Sequence, residues 1–180
     1  RTVYDNVSIF LHWLIALFLG LQLTLGWWMT DLPKTPPGLR AGWFNLHKSV
    51  GITLGILILF RLWWRWRHAP PPWPAGLPRW QRLAATATHR ALYAAMVLLP
   101  LSGYLGSNFT RYPIRLFGLA LPRWGGDWPA GRAAMSTVHE WAGWCLLALI
   151  VLHIAGVLVH ARRRDRVIGR MLPYRTGPGR

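Results

Sequence analysis

The chain has 180 residues, 53% of them hydrophobic, with thirteen Trp, 21 Lys and Arg and only five Asp and Glu, for a formal net charge of +16. That balance excludes an ordinary soluble domain and fits a small integral membrane protein, read as one domain over residues 1–180. A single cysteine, Cys145, excludes a disulfide or a thiolate metal site within one chain.

Four segments, 7–29, 44–66, 83–109 and 138–159, approach or exceed the roughly 20 residues needed to cross a hydrocarbon core of about 30 Å. Without water to satisfy the backbone each must be helical, so the predicted fold is all-α, a membrane four-helix bundle. Fourteen of the 21 basic residues lie at the N-terminus, in the second loop with its helix ends, and in the tail. The positive-inside rule then makes both termini and the second loop cytoplasmic. The outward first and third loops remain basic, with Lys34, Arg40, Lys48, Arg111, Arg115, Arg123 and Arg132 against Asp31, Asp127 and Glu140. Such a face can steer small anions, and no nucleic-acid partner is expected.

In chain order, Asp5, Asn6 and Ser8 are plausible caps for the first span, and His12 follows one to two turns inside it. This span is too long and too rich in Trp for a cleaved signal peptide and is expected to be retained. Trp27 and Trp28 mark its outer end, and Pro33, Pro36, Pro37 and Gly38 form an external turn region. His47 opens the second span, and Gly51 and Gly55 continue its face as a small-residue stripe suited to close helix packing or to a flat macrocycle. Trp63, Trp64, Arg65, Trp66, Arg67 and His68 anchor the inner interface, and five prolines between Ala69 and Pro78 force a turn. The third span starts at Pro78, reaches His89 about eleven residues in, and is expected to kink at Pro100 and Gly103. The loop from Asn108 to Thr137 is long enough to cover the outer end, with Trp124-Gly125-Gly126 as a turn.

The last span carries His139 and His153. Fourteen residues at about 100° and 1.5 Å each put the two imidazoles within about 40° of one face and about 21 Å apart. An ionisable group inside a span is a functional candidate by default. Depth decides the partners: His47 and His139 both begin spans on the outer side, whereas His12 and His89 both have the depth to meet His153. His160 continues the His153 face toward the inner surface. Structural zinc takes four protein ligands, and the missing Cys and carboxylates argue against it. A haem iron needs only two axial ligands, which each histidine pair offers, and without a Cys-x-x-Cys-His motif the haems would be b-type. Gly51, Gly143, Ala16 and Gly156 each leave little bulk three or four residues after a histidine.

These residues carry a resemblance. His12 in Phe10-Leu11-His12-Trp13, the run His47-Lys48-Ser49-Val50-Gly51, the Pro-Leu-Ser-Gly run at Pro100 to Gly103, and His139-Glu140-Trp141-Ala142-Gly143 with His153 together resemble the bacterial cytochrome b561 family over nearly the whole chain. The resemblance implies two b haems, His12 with His153 on the inner one and His47 with His139 on the outer one, leaving His89 as the alternative inner ligand. It also implies electron transfer with ubiquinone in the bacterial inner membrane and, in one branch, superoxide oxidation at the outer, periplasmic face. Lys48, with Arg40, Arg111 and Arg115, would then draw the anion in, and His160 would serve the quinone or its proton. The same frame is similar to the membrane-anchor cytochrome b subunits of hydrogenases and formate dehydrogenases. In that alternative a partner dehydrogenase or hydrogenase supplies the electrons relayed to the quinone pool.

Overall fold

The computed structural model describes residues 3–35, 38–74, 76–163 and 167–172. The turn prolines Pro36 and Pro37 and the tail residues Arg164, Arg166, Arg175 and Arg180 lie outside them. Four helices dominate: α1 (Asn6–Trp28), α2 (Leu39–Arg67), α3 (Arg79–Asn108) and α4 (Pro129–Arg162). The all-α expectation holds. Each helix exceeds its expected span by a turn or more at one end or both, except α1, because the interfacial Trp and Arg residues continue the helix beyond the apolar stretch.

Three of these helices, α1, α2 and α4, are long and apolar enough to cross a membrane. Helix α3 has the length, 30 residues, but its first half carries Arg79, Gln81, Arg82, Thr86, Thr88, His89 and Arg90. Its most extensive packing is against α4, and it also touches α2. Pro100 sits within the continuous helix, where its ring packs 3.1 Å from the place a side chain on Gly55 would occupy. Gly55 is therefore small because a proline ridge lies against it.

Helix ends follow local chemistry. Asp5 caps α1, its Oδ1 accepting from Ser8 N at 2.9 Å and its Oδ2 from Ser8 Oγ at 2.7 Å. Trp64 near the end of α2 donates its Nε1 to the same carboxylate at 3.0 Å, which ties the two helix ends together. Pro129 opens α4, where its missing N–H costs nothing.

The connection from α3 to α4 contains a small antiparallel hairpin that the sequence reading did not anticipate, β1 (Ile114–Leu116) paired with β2 (Leu119–Leu121). Its two-residue turn has φ of 48° at Phe117 and 94° at Gly118, the left-handed pair that matches strand twist. Ser49 on α2 fastens this hairpin: its Oγ accepts from Phe117 N at 2.9 Å and lies 3.0 Å from the Arg115 carbonyl. Ile114, 1% exposed, plugs the hairpin onto the bundle.

At the opposite end a 3-10 turn over Ile168–Arg170 folds back across the bundle. Arg170 is 7% exposed and donates to the carbonyls of Pro71 at 2.6 Å and Pro72 at 3.0 Å. Tyr4 N donates to the Arg170 carbonyl at 3.2 Å and Trp13 Nε1 to the Met171 carbonyl at 2.9 Å. The start of α1, the second loop and the tail thus share one end of the bundle.

The core lies at mid-height and consists of Ile15, Leu19, Leu54, Ile58, Leu92, Ala95, Met96 and Leu146. Leu146 and Ile58 are wholly buried. Leu146 is seven residues from both His139 and His153, so the apolar layer separates the two histidine positions along α4.

The Asp5 cap yields a pH-dependent prediction. Burial pushes its carboxyl up, but hydrogen bonds from Ser8 and Trp64 outweigh this and hold it below the ordinary value of 3.8. A carboxyl whose pKa is depressed in the folded state stabilises above its unfolded pKa and loses that contribution as pH falls through the folded one. Asp5→Ala is expected to lower stability by about 1 kcal/mol near neutrality. In thermal melts in detergent, the gap between wild type and variant should close below pH 3.8. A gap that persists unchanged into that range would contradict the capping role.

Candidate functional site

The four helices bring five of the seven histidines into two groups. At the outer end, His47 on α2 and His139 on α4 have ring centroids 6.1 Å apart. At the inner end, His12 on α1 lies 6.3 Å from His153 on α4, and His89 on α3 lies 5.3 Å from the same His153 ring. His153 is common to both inner contacts, so both rings with the depth to meet it, His12 and His89, stand beside it. His68 instead stacks on Trp64 at 4.0 Å, and His160 is half-buried in the last turn of α4.

An imidazole nitrogen sits about 2 Å from a first-row metal, and two such bonds plus the two ring radii span about 6 Å. The His47–His139 and His12–His153 separations match that span, leaving room for one metal atom between each pair. Ring orientation agrees at the outer site. His139 Nδ1 lies 2.8 Å from the Leu99 carbonyl, which can only accept, so the proton sits on Nδ1 and Nε2 keeps its lone pair. Such a contact to the far ring nitrogen is how metal-bound histidines are oriented. Ser102 Oγ stands 3.3 Å from the same nitrogen.

Glycine positions refine the picture. Gly143 is buried, yet a side-chain carbon built there would meet nothing within 4 Å, so a gap adjoins it beside His139. Gly51 differs: a carbon there would lie 3.2 Å from Gln22 Nε2, which donates to the His47 carbonyl at 2.8 Å. Its small size serves helix packing through Gln22. Gly26 carries no signal in the sequence, and Gly103 reads there only as a kink position and as part of the Pro-Leu-Ser-Gly run. A carbon on Gly26 would come 3.2 Å from His47 Cε1, and one on Gly103 would come 3.0 Å from His139 Cε1. Both are spaces that the outer rings themselves require. His47 Nδ1 is buried without a hydrogen-bond partner, which suits a ring awaiting further contact.

The basic outer residues divide. Lys48 follows His47 on α2 and is half-buried, whereas Arg40 donates to the Leu32 carbonyl at 3.1 Å and covers the Phe44 ring. Arg111 pairs with Asp127 at 2.6 Å, and that hydrogen bond and charge raise its pKa further. Arg115 is exposed on β1, and Arg123 donates to the Thr110 carbonyl. Arg132 is a residue the sequence reading left among the loop charges. It lies seven residues before His139, hence about 20° from its face, and close enough to Lys48 to act on it electrostatically. An open cavity of about 290 Å³, lined by Asp127, Pro129, Arg132, Ala133 and Ser136, lies over this turn of α4.

The family model for prokaryotic cytochrome b561 matches residues 3–174. The chain is 34% identical to cytochrome b561 homolog 2 of Escherichia coli (strain K12), over 94% of this chain and 90% of that protein. It is 27% identical to cytochrome b561 homolog 1 of the same organism, over 96% and 98%. A probable superoxide oxidase CybB of Yersinia pestis is 26% identical, over 97% and 98%.

Gly103 offers a direct test of the outer ring's seat. Gly103→Val places carbon where the His139 ring stands, so the ring must turn away from the Leu99 carbonyl. The expected result is an altered or lost low-spin bis-imidazole signal in electron paramagnetic resonance for one haem, with the second unchanged. An unchanged spectrum would show that the contact does not set the ring.

Proposed function

The chain belongs to the prokaryotic cytochrome b561 family, haem-containing membrane electron-transfer proteins, and on that footing we propose that it is a di-haem superoxide:ubiquinone oxidoreductase. The observation that carries this reading is the pair of imidazole groups on α4, each with ring partners at metal-bridging distance and with the Leu146 layer between them. His47 and His139 would hold the outer haem b. His153 would hold the inner one with His12, as the family resemblance implies, with His89 as the competing ligand. Haem supplies reversible one-electron chemistry when bound, and the chain supplies ligands, burial and access.

The proposed setting is the bacterial inner membrane, as a single multi-pass domain with the shared end of Tyr4, the second loop and the tail cytoplasmic. The outer end then faces the periplasm. Lys48 and Arg132 flank the outer histidine pair and attract a small anion, while Arg40 and Arg115 add to the field. Arg111 contributes less, because Asp127 offsets its charge. Two superoxide ions yield two dioxygen molecules and two electrons. One ubiquinone takes those two electrons and two protons to give one ubiquinol. His160, on the His153 face, would pass a proton at the inner surface.

Support for superoxide as the donor is the basic, half-buried Lys48 beside the outer ring, together with the name carried by the Yersinia pestis relative. The decisive experiment uses the purified chain alone in quinone-containing vesicles. Superoxide should reduce its haem and then the quinone without any partner protein. Reduction that requires an added dehydrogenase would favour the membrane-anchor alternative.

Two predictions follow from the site. Purified protein should carry two six-coordinate b haems, with His139→Ala and His153→Ala each removing a different one. His12→Ala should remove the inner haem and His89→Ala spare it, and the reverse result would exchange their roles. Secondly, Lys48→Glu combined with Arg132→Glu should slow superoxide-driven reduction about tenfold or more at low salt. The deficit should shrink toward ionic strengths of about 0.15 M, as the field is screened.

A further inference from the structure

Arg61 is a charge inside the bundle that the proposed reaction leaves unused. It sits on α2, half-buried, and its contacts run inward. Its Nε donates to Tyr93 Oη at 3.0 Å, its Nη1 reaches the Ser8 carbonyl at 3.4 Å, and its Nη2 lies 3.4 Å from His12 Nδ1. Arg65, one turn further along, shares the Tyr93 ring: the two guanidinium carbons stand 6.0 and 5.8 Å from its centroid. Tyr4, Ser8, His68 and Met171 complete a small space around them.

Two observations show what is missing there. A guanidinium is always charged, and one within a membrane bundle calls for an anion. Yet among the described residues the one ion pair is Arg111–Asp127, and Asp5 gives its carboxylate to Ser8 and Trp64. Secondly, a guanidinium can only donate, so its contact with His12 requires Nδ1 to accept and moves that ring's proton to Nε2. This is opposite to the His139 arrangement and wrong for ligation through Nε2. An anion that draws Arg61 to itself releases Nδ1 and lets His12 adopt the ligating tautomer.

We infer that Arg61 and Arg65, backed by the Tyr93 hydroxyl, form an oxyanion cradle for the carboxylate side arms of the inner porphyrin. The inference rests on the proposed haem reading. Tyr93 Oη accepts from Arg61 and retains its own hydrogen to donate, so three charge-matched or polar groups converge on one carboxylate-sized demand. A lipid phosphate offers the same oxyanion chemistry, but Arg61 is turned toward Tyr93, Ser8 and His12 within the bundle, whereas Arg67 is the exposed cation of that helix end. Cradle occupancy and His12 ligation are then linked: filling one favours the other.

The test titrates the full chain, purified from haem-limited cells into phosphatidylcholine vesicles, with haem b and with its dimethyl ester, which lacks free carboxylates. Inner-site uptake is the b-type absorbance that His153→Ala removes. Wild type should bind haem b at least tenfold more tightly than the ester. Arg61→Gln should reduce that preference to within about twofold, Arg65→Gln should narrow it, and Arg61→Lys should retain part of it. Equal weakening of haem and ester in Arg61→Gln would make Arg61 a fold residue and overturn the cradle. So would a wild-type preference near one in phosphatidylcholine, with an Arg61→Gln defect appearing only on addition of phosphatidylglycerol, since the anion would then be lipid. No inner-site uptake of either form by wild type would overturn the haem reading itself, and the cradle with it.

Discussion

Imidazoles in a hydrocarbon slab constrain everything else in this molecule. A polar ring there must be answered by a hydrogen bond, a metal or water, and an unanswered one costs free energy at every moment the protein is folded. The chain places five histidines in the span region, and among the described residues none of them is in an ion pair with a carboxylate. Helix α4 must therefore lie where α1, α2 and α3 can each bring a ring to it. The extensive α3–α4 contact, the Gly103 seat and the Leu99 carbonyl on His139 are consequences of that demand.

What the sequence disclosed follows from period and depth. Helical geometry makes a fourteen-residue spacing on α4 legible as one face at two heights, and matching heights on α1, α2 and α3 identify which rings can meet. Longer-range details were not legible. Nothing local marks Ser49 as the fastener of a hairpin more than sixty residues away, and three-residue strands with Phe117 at positive φ carry no ordinary turn signature. Gly51 reads as room beside a ligand but meets Gln22, because side-chain reach across helices is invisible in spacing. Arg61 and Arg170 read in the sequence as topological charge, although one contacts His12 and the other is buried against the second loop.

Charge has different uses at the two ends. At the outer end the hairpin and its loop are fixed in place by Ser49, Thr110 and Asn108, Lys48 directly follows His47, and Asp127 occupies Arg111. At the inner end Arg61, Arg65 and Arg170 turn toward aromatic rings and backbone carbonyls. A guanidinium tolerates such company better than an ammonium, being planar and more weakly hydrated.

The apolar layer of Leu146, Ile58, Leu54 and Ile15 has an electrical meaning. None of these four side chains can carry a proton, so in the proposed reaction electrons would cross this layer without one. In the proposed orientation each electron moves inward alone, against a membrane potential that is negative inside, at about 2.3 kcal/mol per full charge per 100 mV. Protons taken up from the inner side then neutralise the added charge after the crossing. In that proposed reaction the layer would act as an insulator, and an energised membrane would oppose electron flow with a back-pressure that an uncoupled one lacks.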